Sequence, residues 1–113
     1  MPFGVMFHHF DSFHHPKSQG SISRNQIYKI IKFLKKSYNL NNANEFMDKL
    51  ISKKIKQKDV CLTFDDSLKC QVDVALPVVN KEKIQAFFFL HSCAFSRKSN
   101  LLEVFRGLIK KCL

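Results

Sequence analysis

The stretch that decides the fold is Val60-Cys61-Leu62-Thr63-Phe64-Asp65-Asp66-Ser67, an apolar run that ends in two adjacent carboxylates. Its apolar part, residues 60–64, predicts a buried β-strand. Neighbouring aspartates at a strand end repel each other and lose solvation in a cleft, so they persist most readily beside a cation or a reacting proton. The stretch therefore indicates a strand that delivers Asp65 and Asp66 to a site. The residues alone leave one alternative open, that the two aspartates cap the following helix and stay exposed.

The segment before this strand predicts a further strand and two helices. Residues 3–7 are interpreted as a short buried strand and residues 8–21 as a loop. A helix is expected from about residue 25 to residue 37, because its apolar residues recur at helical spacing, and Ser23 with Gln26 forms a plausible capping box. A shorter helix follows, with apolar residues Phe46, Met47, Leu50 and Ile51. Its asparagine-rich start supplies the cap candidates Asn41, Asn42 and Asn44.

The segment after this strand predicts a helix, a strand and a last helix. Helical spacing joins Val72, Ala75, Leu76 and Val79. Pro77 within that stripe predicts a kink or a helix that begins late, close to the proline. Residues 84–90 are almost wholly apolar and are expected to form a strand covered on both faces, at the centre of the core. Residues 101–109 are expected to form a final amphipathic helix.

The order of these elements predicts an α/β fold with a mainly parallel sheet and flanking helices. A chain of 113 residues holds one domain, so residues 1–113 are interpreted as a single domain. Such a sheet usually needs more chain to cover both of its faces, and the domain is therefore interpreted as incomplete.

Three pieces of the chain resemble the polysaccharide deacetylases, the NodB-like carbohydrate esterases. The run from Thr63 to Asp66 matches their motif Thr-Phe-Asp-Asp-Gly, with Ser67 in the place of glycine. Residues 5–9 are similar to a Met-Tyr-His strand end, with His8 in the histidine place. Residues 74–79 and 84–90 are similar to the family's next helix and strand. The resemblance covers roughly residues 4–95 and implies about the first half of a distorted (β/α) barrel.

The resemblance also implies a chemistry, the metal-dependent hydrolysis of an N-acetyl bond, a carbon–nitrogen bond other than a peptide, on a carbohydrate. It makes Asp65 the catalytic base and Asp66 a ligand of a divalent metal, with zinc expected. His8 and Thr63 are expected to line the substrate pocket, His8 as a pocket residue and not as a ligand. A carboxylate suits a divalent metal, which acidifies water, and a second carboxylate can then take the proton.

The chain departs from the family after residue 90. His91-Ser92 begins like the family's His-Ser-x-x-His motif, but Phe95 stands where the second histidine belongs, and the later family motifs are missing. The metal site is therefore expected to be incomplete, and this chain alone is not expected to catalyse. We expect an amino-terminal piece of a longer deacetylase, with the second motif encoded beyond codon 113 in this or a shifted frame. The alternative is a carbohydrate-binding remnant of the same fold that does not catalyse.

The formal charge of +10 could suggest a nucleic-acid binder. The excess is mostly scattered lysine, and no motif of alternating aromatic and basic residues appears. We interpret the charge as a solvated basic surface and expect no specific nucleic-acid partner; any such binding should be weak and lost as salt rises.

The four cysteines include no Cys-x-x-Cys pair, and Cys61 lies in the predicted strand, which favours free thiols in a reducing compartment. The chain begins without a basic leader and contains no apolar run long enough to cross a bilayer, so a cytoplasmic location and no membrane are expected. The adjacent histidine pairs at 8–9 and 14–15 lack the spacing that puts two ligands on one helix face, and loop histidines are interpreted as polar surface.

Overall fold

The computed structural model of the protein describes residues 2–90. Its centre is β3, Asp59–Phe64, which pairs along one edge with β1, Phe3–Phe7. The other edge of β3 pairs near its start with β2, Asn39–Leu40, and near its end with β4, Phe87–Phe88. Every one of these pairings is parallel. The predicted α/β class with a mainly parallel sheet is confirmed.

The longest helix, α1, spans Arg24–Ser37 and packs one face on the sheet through Ile27, Ile31 and Leu34. Each such buried aliphatic side chain contributes roughly 1.5–3 kcal/mol through removal of apolar surface from water. The predicted capping box is confirmed, since the Ser23 hydroxyl accepts from the Gln26 backbone N–H at 3.2 Å and the Gln26 side chain accepts from the Ser23 N–H at 2.7 Å. Helix α2 spans Ala43–Ile51, where the sequence predicts the shorter helix.

Pro77 lies in the first turn of the last described helix, as predicted. A π-helical turn at Gln71–Ala75 leads directly into α3, Leu76–Lys81. Proline is tolerated there because the first backbone N–H groups of a helix have no intrahelical partner. The carbonyl of Asp73, four residues before Pro77, accepts instead from the Arg24 guanidinium at 3.5 Å.

The core lies around β3, and the prediction that residues 84–90 form its centre is wrong. Val60, Leu62 and Phe64 are fully buried, whereas Phe88 is 38% and Phe89 54% exposed. The reason is strand order, because β3 takes a neighbour on both edges while β4 pairs, within the described residues, only with β3. The predicted last helix, His91 and the cysteines at positions 93 and 112 lie outside the described residues.

Both described cysteines, Cys61 and Cys70, are buried and free, which agrees with the predicted burial of Cys61 as a free thiol in a strand. Burial raises the pKa of the Cys61 and Cys70 thiols. In the part of the chain that the structure describes, no helix has the length and apolar character that a bilayer span requires.

Candidate active site

The site lies where β1 and β3 end side by side. Their parallel register pairs Phe7 with Phe64, so the next residues, His8 and Asp65, emerge together at the carboxyl edge of the sheet. The His8 Nε2 atom lies 3.6 Å from Asp65 Oδ2 and 3.7 Å from Asp66 Oδ2. The structure therefore brings together three of the four residues that the sequence selects, and all three side chains are partly open to solvent.

An unusual backbone turn aims both carboxylates at one imidazole. Consecutive side chains of an extended strand point to opposite faces, so Asp65 and Asp66 would diverge if β3 continued. Instead Asp66 and Ser67 adopt left-handed conformations, with φ of 70° and 53°. The Asp66 backbone N–H donates to Asp65 Oδ1 at 3.1 Å, which fixes the first carboxylate against the turn. The turn explains why adjacent acids can serve a single site.

The alternative, that the aspartates cap the following helix and stay exposed, stays a prediction. Both side chains are partly open to solvent, and both carboxylates face His8.

The donor set fits a divalent cation. One ligand atom each from His8, Asp65 and Asp66 can be chosen so that all three lie within 4.8 Å of one another. Imidazole nitrogen and carboxylate oxygen are both ligands that zinc accepts, and a catalytic zinc site uses three protein ligands beside a position for water. If one of the two carboxylates is reserved as a base, the described residues offer two ligands.

Gln71 is a residue that sequence reasoning missed. Its side chain is 2% exposed, and its Nε2 atom donates to the His8 carbonyl at 2.9 Å and to the Asp65 carbonyl. The signal was present, because Gln71 precedes Ala75 by four residues and so belongs to the buried helical stripe. A polar residue on such a stripe requires partners.

Two other candidates have structural partners in the described chain. The Thr63 hydroxyl donates to the Val5 carbonyl at 3.3 Å, across the β1–β3 pair, and its role in the substrate pocket stays a prediction. For His15 the interpretation as polar surface is wrong, since it is 7% exposed and its Nε2 lies 2.8 Å from Asp73 Oδ2. The contact between His15 and Asp73 links the loop of residues 8–21 to the π turn.

Comparison with known proteins places the chain beside the deacetylases. The family model described as polysaccharide deacetylase matches residues 52–106. A solved structure titled IcaB from Ammonifex degensii is 26% identical, with a TM-score of 0.66 over 79% of this chain and 37% of that one. A de-N-acetylase from Aggregatibacter actinomycetemcomitans is 23% identical, with a TM-score of 0.61 over 77% of this chain and 36% of that one, and supports the fold alone. A search of curated proteins finds no match.

These matches confirm the resemblance to the polysaccharide deacetylases that the motifs predict. The chain spans little more than a third of the length of either solved structure, 37% and 36%.

Proposed function

We propose that this relative of the polysaccharide deacetylases takes part in the metal-dependent hydrolysis of an N-acetyl group on a carbohydrate. The observation that carries the proposal is the convergence of His8, Asp65 and Asp66 at the ends of two parallel strands. A structural role alone gives little reason to hold two carboxylates and an imidazole together at a solvent-open edge. The match of residues 52–106 to the family model described as polysaccharide deacetylase supports the same reaction class.

Asp66 and His8 are the residues that we assign to the cation, which we propose to be zinc. Both side chains present a ligand atom at the site, and the atoms lie 3.7 Å apart. A bound zinc ion supplies a Lewis acid that acidifies water and polarises a carbonyl. The assignment of His8 as a ligand goes beyond the pocket role that the sequence predicts, and the geometry supports it because its Nε2 faces both carboxylates.

Asp65 is then free to act as the base. Its carboxylate takes a proton from the attacking water while the water oxygen bonds to the acetyl carbon. The carbon–nitrogen bond breaks, and the nitrogen takes up a proton as it leaves. The products are acetate and a free amine on the sugar, so one water is consumed for each amide hydrolysed. The turn at Asp66 supports this role, because its N–H holds one Asp65 oxygen and leaves the other beside His8.

We further propose that residues 1–113 form one part of a single deacetylase domain and that a further part supplies the remaining ligand. Two facts support this: the described residues offer only two ligands once Asp65 acts as the base, and the chain spans 37% of the matched structure titled IcaB.

The experiment compares the 113-residue chain with the products of the gene read past codon 113 in each frame. All of them are incubated with zinc and an N-acetylated chito-oligosaccharide, and released acetate is measured. We expect release by a longer product, and we expect Asp65→Asn to abolish it. The matched control, Asp48→Asn, removes an exposed carboxylate of α2 far from the strand ends and should leave the rate unchanged.

Acetate release that survives Asp65→Asn would overturn the assignment of the base. Saturable oligosaccharide binding without acetate release by any of these proteins would favour the carbohydrate-binding remnant instead.

A further inference from the structure

Gln71 occupies an unusual position for a polar side chain. It begins the π turn directly beneath the ends of β1 and β3, and only 2% of its surface is exposed. Burying an amide costs free energy unless its groups are hydrogen-bonded. Its Nε2 atom donates to two carbonyls at once, those of His8 and Asp65.

These two carbonyls belong to the residues that carry the site. The last backbone contact between the strands runs from the Asp65 N–H to the Phe7 carbonyl at 3.2 Å. Beyond that point the Gln71 amide links the two strand ends through the carbonyls of His8 and Asp65.

The local helix geometry supports this bridge. The Leu76 N–H bonds to the Gln71 carbonyl across the wide π turn, and such turns are frequent at functional sites. The preceding residue adds a second tie, because the Phe10 N–H donates to Cys70 Sγ at 3.4 Å. Two consecutive side chains of this turn therefore hold the segment that contains His8.

We propose that Gln71 is a positioning residue that sets the separation of His8 and Asp65. For its catalytic consequence the inference rests on the proposed function, since a catalytic constellation must be held within about 0.5 Å of its productive geometry. The positioning itself is a property of the folded chain and can be measured without metal or substrate.

The test is a double-mutant cycle read by NMR on the 113-residue chain. In the unaltered background, Asp65→Asn changes the chemical shifts of the His8 imidazole, because that carboxylate lies 3.6 Å from Nε2. The same substitution is then made in Gln71→Met, which keeps the volume but cannot donate, and in Gln71→Asn, which is too short to reach both carbonyls. We expect the effect of Asp65→Asn on His8 to fall by about half or more in both backgrounds, since the coupling of two groups reports their contact.

The matched control is Asn41→Ala. Asn41 is also a buried amide, 3% exposed, but it lies at the opposite end of β3, where it donates to Asp59 at 3.1 Å. A general loss of stability would reduce the His8 response in Asn41→Ala as well as in the two Gln71 variants. The positioning role instead predicts an unchanged His8 response in Asn41→Ala.

An undiminished His8 response in both Gln71 variants would overturn the proposal. So would loss of folding in both of them, because Gln71 would then determine the fold and not the site, and so would the absence of any His8 response in the unaltered background. Failure of the proposed function has a different signature, since acetate release would be absent while the His8 coupling persists.

Discussion

The site geometry requires disfavoured backbone conformations at two single residues, Asp66 and Ser67. Both lie in the left-handed region, at φ of 70° and 53°, where a side chain with a Cβ atom is disfavoured by roughly 1–2 kcal/mol. Glycine avoids this cost, which explains why the motif that the chain resembles ends in glycine at the position of Ser67. The sequence shows that serine replaces the glycine of the motif at position 67. Only the backbone angle shows that this replacement costs free energy.

Ser67→Gly should therefore raise the free energy of unfolding by roughly 0.5–1 kcal/mol, the relief of strain less the greater freedom of glycine in the unfolded chain. Urea denaturation measures the change. Ser67→Ala is the control, because it removes the hydroxyl but keeps the Cβ atom. A Ser67→Gly chain that is no more stable than the Ser67→Ala chain would show that the strain is absent.

Asp59 is a second residue whose environment is fixed by contacts invisible in the sequence. It is 1% exposed at the start of β3. The Lys56 backbone N–H, with the side chains of Asn41 and Lys49, lowers the pKa of Asp59 from 3.8 to about 2 against the opposing effect of burial. The charged form is therefore the one that the folded chain prefers.

The pH dependence of stability follows from this lowered pKa. Because the folded pKa lies below the unfolded value, Asp59 stabilises the fold above pH 3.8 and loses that contribution as the pH falls towards about 2. The contribution is roughly 2 kcal/mol. Thermal unfolding between pH 6 and pH 2 should show a steeper loss of stability in the unaltered chain than in Asp59→Asn. Equal slopes for the two chains would contradict the assignment.

At the scale of elements, local signals predict helices well and distant partners escape prediction. The capping box of α1 was predictable because Ser23 and Gln26 are three residues apart. The N-cap of α2 is Asn42, among the asparagines that the sequence offers, but its side chain does not cap the helix. Its Oδ1 accepts from the Gln85 backbone N–H at 2.9 Å, a partner 43 residues away.

Ser23→Ala should lower the free energy of unfolding by about 1 kcal/mol, because the Gln26 N–H loses its acceptor at the start of α1. Ser23→Gly should cost only a few tenths of that, since glycine suits the N-cap and leaves the N–H open to water. Chemical denaturation of the two variants checks this order. Equal losses would mean that the hydroxyl contributes nothing as a cap.

For the whole molecule, the class of fold could be predicted and the strand order could not. Alternating strands and helices indicate a parallel sheet, and the carboxyl end of β3 indicates the site. Hydrophobicity alone made residues 84–90 the centre of the core, whereas Phe89 and Leu90, directly after β4, are each 54% exposed. The hydrogen-bond partners of Gln71 escaped prediction for a similar reason. Helical spacing indicates that the residue is buried, but the two carbonyls lie on segments that only the fold brings together.

The exposed end of β4 predicts self-association of the chain. Within residues 2–90, Phe88 and Phe89 present apolar surface at the sheet edge, and a strand edge without a partner is a template for pairing. Light scattering after gel filtration should show a mass that rises with concentration, and Phe89→Lys should reduce that rise. Phe13→Lys is the control, since Phe13 is 98% exposed but lies outside the sheet. The same reduction in both variants would contradict an edge-specific contact.

The central claim, that the strand ends assemble a cation site, is tested most directly by calorimetric titration of the 113-residue chain with zinc. Because the described residues offer two ligands beside the base, we predict binding weaker than micromolar that is lost in Asp66→Ala and in His8→Ala. Asp48→Asn should bind as the unaltered chain does. Zinc binding that is the same in Asp66→Ala, His8→Ala and the unaltered chain, or that is absent from all of them, would contradict the claim.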